Sequence, residues 1–197
     1  MKSKLNNKKI ILASASPRRN ELLEQIGLTF EVDPSQGEEI MEPCTNPHDL
    51  ARALSRQKTS EVATRHPNAL VIGADTFIVS DKKLMGKAHN DAEARAMLRE
   101  LNGKSHSVVT GFTVMDTTDN RFTSRAIETR VWFRSLTQQE IDSYIATGEP
   151  IGKAGAYAIQ GKGAVIVEKI MGDYSNVVGL PLHELAVVLK RYGVSIL

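Results

Sequence analysis

The sequence predicts an α/β fold on a mixed sheet, and three observations carry that expectation. Strand and helix signals alternate along the 197 residues, with no repeat, low-complexity segment or obvious linker. The run Ala69-Leu70-Val71-Ile72-Gly73-Ala74-Asp75-Thr76-Phe77-Ile78-Val79 is nearly continuous in apolar residues, as in a strand covered on both faces. Two long alternating segments, 106–116 and 122–134, read as an antiparallel pair and make the sheet mixed. The length suits one domain, residues 1–197, as a single body or two closely packed lobes.

The elements follow in order. Lys9-Ile10-Ile11-Leu12-Ala13 is a short apolar strand. A helix follows, with Ser16 at the N-cap, Pro17 in the first position, apolar residues at 22, 23 and 26, and Gly27 as its stop. Residues 29–32 form a strand, and a loop carries the paired acids Glu38 and Glu39. Asn46 caps a long helix with Pro47 first, which runs to about residue 65 and is closed by His66-Pro67. After the apolar strand, Asn90 and Glu93 make a capping box for a helix through Leu101, and Asn102-Gly103 ends it. The strand pair comes next. Thr137 and Glu140 make a second box, for a helix to about residue 146. The glycine-rich stretch 152–164 leads into a strand over 164–170, and the last helix starts at Pro181.

Composition removes several classes of function. A net charge of +2 is too small and too scattered for a nucleic-acid binder. A single cysteine, Cys44, excludes an internal disulfide and a cysteine zinc cluster. No apolar run is long enough for a membrane span. The basic, polar residues 1–9 precede too short an apolar run for a signal peptide, so the expected location is cytoplasmic. There is no P-loop motif, no Gly-x-Ser-x-Gly elbow and no ligand spacing among the five histidines. Trp132 reads as core rather than as a base-stacking platform.

A few residues are out of place for a purely structural role. The strand–turn–helix around Leu12-Ala13-Ser14-Ala15-Ser16-Pro17-Arg18-Arg19 aims backbone N–H groups and a helix dipole at one spot. Two arginines in the first helical turn oppose that dipole, as a bound polyanion would allow; a capped helix with two solvated arginines is the other local reading. Asp75 interrupts an apolar strand, where an unpaired carboxylate is expensive. It therefore reads as a paired group, a general base or a metal ligand, and Gly73 lets another element come close to the backbone. Lys58 lies on the stripe of Leu50, Leu54 and Val62, as a snorkelling lysine or as a cation turned inward. Lys87 sits in a Met85-Gly86-Lys87 turn and Gln160 in a glycine-bounded one, where an amide suits an uncharged polar ring. Cations, carboxylates and an amide together suggest a nucleotide with several phosphates.

At these residues the chain resembles the Maf family of nucleoside triphosphate pyrophosphatases. The resemblance rests on residues 12–19, on Gly73-Ala74-Asp75-Thr76, on Lys153-Ala154-Gly155-Ala156-Tyr157-Ala158-Ile159-Gln160-Gly161 and on Val178-Gly179-Leu180-Pro181-Leu182, in the expected order. It implies an inosine-triphosphatase-like α/β fold, with an elongated, twisted mixed sheet, flanking helices and a cleft between two lobes. It also implies a cytoplasmic enzyme, commonly a homodimer, that uses Mg²⁺ or Mn²⁺. By the same resemblance Asp75 is the proton acceptor, and Glu39 works with it on metal or water. Ser14, Arg18, Arg19, Lys58 and Lys87 are then phosphate-side residues. Arg18, Thr76 and Gln160 are the combination of the branch that acts on dTTP and UTP. House-cleaning of modified pyrimidine nucleotides would use the same chemistry, and a nucleotide-binding regulator of cell division is the alternative from another class. The chain departs from the family at Ala88, where proline is usual, which predicts a looser loop around Lys87.

Overall fold

In chain order the chain forms β1 (Lys9–Leu12), α1 (Pro17–Gln25), β2 (Glu31–Val32), α2 (Pro47–Ala63), β3 (Ala69–Ser80), β4 (Lys83–Met85) and α3 (Asp91–Leu101). These are followed by β5 (Ser105–Asp116), β6 (Arg121–Phe133), α4 (Gln138–Ile145), a 3₁₀ turn (Lys162–Val165), β7 (Val167–Met171), α5 (Tyr174–Val178) and α6 (Leu182–Arg191). The structure is a computed structural model that describes residues 8–37 and 46–197. Glu38, Glu39 and Cys44 lie outside the described residues. Among those described, seven strands make one sheet in the order β2-β1-β3-β5-β6-β7, with β4 beside β3. β1 runs parallel to β2 and β3, whereas β3–β4 and β6–β7 are antiparallel. The expected mixed α/β sheet is therefore present.

The chain divides into two units. The first holds the described residues up to Asp75, residues 110–127 and residues 179–197. In it, Ile11, Ala13, Val62, Ala69 and Val71 pack together between the sheet and α2. α2 lies unusually close to the strands because two glycines face it. A Cβ on Gly111 would stand 2.0 Å from the Ala51 carbonyl oxygen, and one on Gly73 would stand 2.3 Å from Thr59 Oγ1. The helix meets them with small residues, Ala51, Ser55 and Thr59, all wholly buried. The two hydroxyls are satisfied there: Thr59 Oγ1 donates to the Ser55 carbonyl at 2.7 Å, and Ser55 Oγ donates to the Arg52 carbonyl at 2.9 Å. Such pairing removes the cost of burying them. The element that Gly73 admits to the backbone is thus α2.

The second unit comprises residues 76–109 and 128–178. Its core joins Ile78, Leu98, Leu101, Val108, Val131, Ile141 and Ile145 to an aromatic group of His106, Phe133 and Tyr157. The rings meet edge to face, with centroids 4.7 Å apart for Phe133 and Tyr157. His106 Nε2 lies 2.9 Å from the Tyr157 hydroxyl, and burial lowers the histidine pKa to about 4.

Several expectations need correction. Ser16 stands at the N-cap of α1, but its side chain makes no cap bond. The strand expected over 164–170 begins only at Val167, because the Ala164 N–H bonds to the Gly161 carbonyl and the Ile166 N–H to that of Gly163, tightening this stretch into a 3₁₀ turn. The second strand is shorter than expected, Glu31–Val32. Trp132 is half-buried rather than core: Val131 and Phe133 take the inner face, and the alternation turns Trp132 outward beneath Lys169 Nζ at 4.6 Å. The Thr137–Glu140 box is complete. Asn90 caps α3, but Glu93 also reaches back to the N–H of His89.

Candidate functional site

In the first unit, β1 delivers the chain to Ser14 and α1 starts three residues later. Ser14 Oγ accepts from Arg19 Nη1 at 3.0 Å and from the Ser16 N–H at 3.3 Å. Both bonds use the oxygen as acceptor, so the hydroxyl hydrogen remains available to a further acceptor. With Ser16 making no cap bond, the N–H groups of the first turn are not taken by that side chain.

The two neighbouring arginines have different tasks. Arg18 lies along the helix surface, 3.2 Å from Glu21 Oε2. Arg19 turns inward: its Nε donates to the Gly179 carbonyl at 2.9 Å and its Nη1 to the Ala74 carbonyl at 2.9 Å. One guanidinium fork thus ties the start of α1 to β3 and to the segment before α6. Gly179 has φ +133°, a conformation that glycine alone adopts readily, so the Val178-Gly179-Leu180-Pro181 motif supplies a carbonyl from a backbone that other residues would not hold.

One residue beyond Ala74 stands Asp75, half-buried on β3. Its Oδ1 accepts from Lys58 Nζ, an ion pair between side chains 14% and 18% exposed. Lys58 reaches it because Gly73 lets α2 settle against the strand at Thr59, the next residue along the helix. The out-of-place acid and the out-of-place lysine are therefore partners. Ser14, Arg19, Lys58 and Asp75 come together around the end of β1 and the middle of β3, whereas Arg18 stands apart with Glu21.

Thr76, Lys87 and Gln160 belong to the second unit. Thr76 follows Asp75 on β3 and is half-buried. Lys87 is exposed and forms an antiparallel bridge with Ala154. Its turn is stitched to the Lys153-Ala154-Gly155 motif: the Ala88 N–H donates to the Lys153 carbonyl at 3.2 Å, the Gly155 N–H to the Gly86 carbonyl at 3.0 Å, and the Gly152 N–H to the Ala88 carbonyl at 2.8 Å. A proline at 88 could not make the first of these bonds. Alanine therefore ties the Lys87 turn down instead of loosening it. Gln160 is exposed in the turn between Ala158 and Gly161.

Sequence reasoning missed the groups that hold these residues. The carbonyls of Ala74 and Gly179 carry no side-chain signal. Gly111 lies in the long strand segment 106–116, where nothing in the sequence marks it as the seat of a helix. Glu149, eleven residues before Gln160, has no spacing rule that links it to the Gln160 turn. Gly73 was a visible sign that an element approaches β3, and the small residues at 51, 55 and 59 identify that element as α2.

The described residues contain no group of three or more histidine, cysteine, aspartate or glutamate side chains that could hold a metal ion. Asp75 supplies one hard oxygen donor. Magnesium in nucleotide sites is bound by one or two carboxylates plus substrate phosphates, and the Asp75 carboxylate is a donor that fits such an ion.

The fold and this cluster define a class: a mixed α/β protein with a cationic strand–turn–helix beside a carboxylate on the next strand. Residues 9–192 match the family described as Maf-like protein, and the chain belongs to that family. It is 45% identical over 190 residues to a protein of Pelotomaculum thermopropionicum named dTTP/UTP pyrophosphatase, covering 96% of this chain and 100% of the relative. A protein of Dictyoglomus thermophilum with the same name is 46% identical over 191 residues, covering 96% and 99%. One of Bacillus cereus, again so named, is 44% identical, covering 97% and 93%. Among solved structures, the Staphylococcus aureus Ham1 protein superposes with a TM-score of 0.52 at 12% identity, over 94% of this chain and 100% of that one. That likeness concerns the fold alone, and it agrees with the inosine-triphosphatase-like architecture expected from the sequence. No helix among the described residues is long and apolar enough to cross a membrane.

Proposed function

We propose that the protein is a nucleoside triphosphate pyrophosphatase that hydrolyses dTTP and UTP to the monophosphate and pyrophosphate. The observation that carries this reading is similarity at 43–46% identity to proteins of that name along nearly the whole chain. The chemistry of the first unit supports it. The triphosphate rests against Ser14, Arg18 and the start of α1. Arg19 holds that turn in place, and Lys58 and Lys87 supply further positive charge. Asp75 takes a proton from water, and the water oxygen bonds to the α-phosphorus while the bond from that phosphorus to the bridging oxygen breaks. Pyrophosphate leaves with the bridging oxygen. Negative charge grows on the leaving group, and the cations around it stabilise it. In this reading Lys58, paired with Asp75 in the structure, passes to a phosphate oxygen when Asp75 takes up its catalytic role.

A divalent ion, Mg²⁺ or Mn²⁺, would be held by Asp75 and Glu39 together with phosphate oxygens. When bound it supplies Lewis-acid withdrawal of charge from the phosphoryl group. Thr76 and Gln160 read the base, as the branch combination with Arg18 implies. The same reading takes in a cytoplasmic homodimer and modified pyrimidine triphosphates among the substrates. The test is a panel of ordinary and modified nucleoside triphosphates, each with Mg²⁺ or Mn²⁺, assayed for products. UMP and dTMP with pyrophosphate are expected; silence across the panel, or UDP with phosphate, would contradict the reading.

A further inference from the structure

We propose that Glu149 is a positioning residue that sets base selectivity by holding the turn that carries Gln160; this rests on the reading of Gln160 as the residue that meets the base. The backbone at Glu149 is fixed first. After α4, the Thr147 N–H bonds to the Tyr144 carbonyl at 3.1 Å, the Gly148 N–H to the Ile145 carbonyl at 2.9 Å, and the Glu149 N–H to Thr147 Oγ1 at 3.2 Å. Gly148, at φ +73°, makes the reversal that aims the Glu149 side chain.

The carboxylate then receives donors from one short stretch of chain. Glu149 Oε2 accepts from the Lys162 N–H at 2.8 Å, and Oε1 accepts from the Gly163 N–H at 2.9 Å. The Tyr144 hydroxyl donates to Oε1 at 2.7 Å and accepts from the Ala158 N–H at 3.1 Å. Burial, together with its bond to Glu149, raises the Tyr144 pKa, so the phenol keeps the proton it donates. Both ends of the 158–163 turn are thus anchored on one acid–phenol pair, and Gln160 stands exposed between them.

The fit leaves no slack. A Cβ on Gly161 would stand 2.1 Å from Glu149 Oε2, and one on Gly163 would stand 2.5 Å from the Ala158 carbonyl oxygen and 2.8 Å from the Tyr144 hydroxyl. Charge-assisted bonds to backbone N–H groups are stronger than neutral ones, which suits an anchor for a turn that leads into a single short 3₁₀ segment.

The chemistry of the base explains the need for rigidity. Uracil and thymine present an N3 donor beside an O4 acceptor, and cytosine presents the reverse. A glutamine amide satisfies either pattern by turning over. Selecting one pyrimidine from the other therefore requires both a fixed sense of the amide and a fixed place for it on the base edge. The Glu149–Tyr144 anchor supplies the second by fixing the backbone from which Gln160 projects.

The experiment measures kcat and KM for UTP and CTP with Mg²⁺ in the parent, Glu149→Gln, Tyr144→Phe, Gln160→Ala and the Glu149→Gln/Gln160→Ala double variant. Glutamine at 149 offers one oxygen where the carboxylate offered two, and its NH₂ opposes a backbone N–H. The ratio of kcat/KM for UTP over CTP should fall about tenfold or more in Glu149→Gln, chiefly through the KM for UTP, with a smaller fall in Tyr144→Phe. In the Gln160→Ala background, Glu149→Gln should add no further loss of selectivity. A normal ratio in Glu149→Gln, or a loss that simply adds to that of Gln160→Ala, overturns the proposal. If Gln160→Ala itself leaves the ratio unchanged, the reading of Gln160 as base reader has failed instead. If Glu149→Gln does not fold, Tyr144→Phe alone and in the Gln160→Ala background decides by the same criteria.

Discussion

The charged cluster of the first unit and the Gln160 turn of the second solve the placement of functional groups in opposite ways. Around Asp75 the groups that hold and the groups proposed to react are the same: Lys58 pairs with Asp75, and Arg19 ties Ser14 to the carbonyls of Ala74 and Gly179. In the second unit the tasks are divided: Glu149 and Tyr144 hold, and Gln160 stands exposed. The difference teaches where function and stability separate. Changes in the first cluster should alter turnover and folding together, unless they keep the shape and hydrogen bonding of the group replaced. Changes beneath the Gln160 turn should alter selectivity while turnover persists.

The largest expected effect breaks the first cluster at its reactive group while sparing its structure. Asp75→Asn keeps an amide oxygen for Lys58 but removes the proposed proton acceptor, so kcat for UTP should drop by about 10²–10⁴. Thermal unfolding should show a melting temperature close to that of the parent, and the preference for UTP over CTP in the residual activity should persist.

Next comes the approach of α2. Gly111→Ala drives a Cβ into the Ala51 carbonyl, a backbone atom that cannot rotate away. Overpacking of this kind costs about 3 kcal/mol, at the upper end of the usual range. In a chain of this size that lowers the melting temperature by about 6–12 °C. Gly73→Ala meets a hydroxyl first and should cost less stability, but it displaces the turn of α2 that carries Lys58, so its loss of activity should exceed its loss of stability.

A smaller effect separates the units by pH. His106 titrates near 4 in the folded protein against 6.5 for the free side chain, because burial disfavours its charged form. A lowered histidine pKa means that the unfolded chain takes up the proton first. This contribution is intact above pH 6.5 and is lost as pH falls toward 4. Between pH 7 and pH 5 it amounts to about 2 kcal/mol. His106→Gln keeps a polar partner for Tyr157, and urea unfolding at the two pH values should show less acid sensitivity in the variant than in the parent. The smallest effect is at Arg18, whose ion pair with Glu21 is exposed. Arg18→Ala should change stability by no more than about 0.5 kcal/mol while raising the KM for UTP several-fold, which separates its task from that of Arg19.

Much of this arrangement was legible in the sequence wherever a residue type clashed with its surroundings. Asp75 in an apolar strand and Lys58 on an apolar helical stripe each signalled a missing partner, and each is the other's. The helix starts at Pro17, Asn46, Asn90 and Thr137 were legible because cap chemistry is local. Where the geometry comes from the backbone, no side chain reported it. The carbonyls that receive Arg19 and the N–H groups that receive Glu149 belong to residues whose names say nothing about them. The 3₁₀ turn before β7 was hidden for a related reason: residues 164–170 have the composition of a strand, and bonds to Gly161 and Gly163 override it.

The central claim is that water adds at the α-phosphorus of a pyrimidine triphosphate, with Asp75 as proton acceptor. Hydrolysis of UTP in ¹⁸O-labelled water with Mg²⁺, followed by mass spectrometry of the products, tests it most directly. The account predicts one labelled oxygen in UMP and none in pyrophosphate. Label in pyrophosphate would place the attack at the β-phosphorus, and UDP with labelled phosphate would place it at the γ-phosphorus; either result would contradict the account.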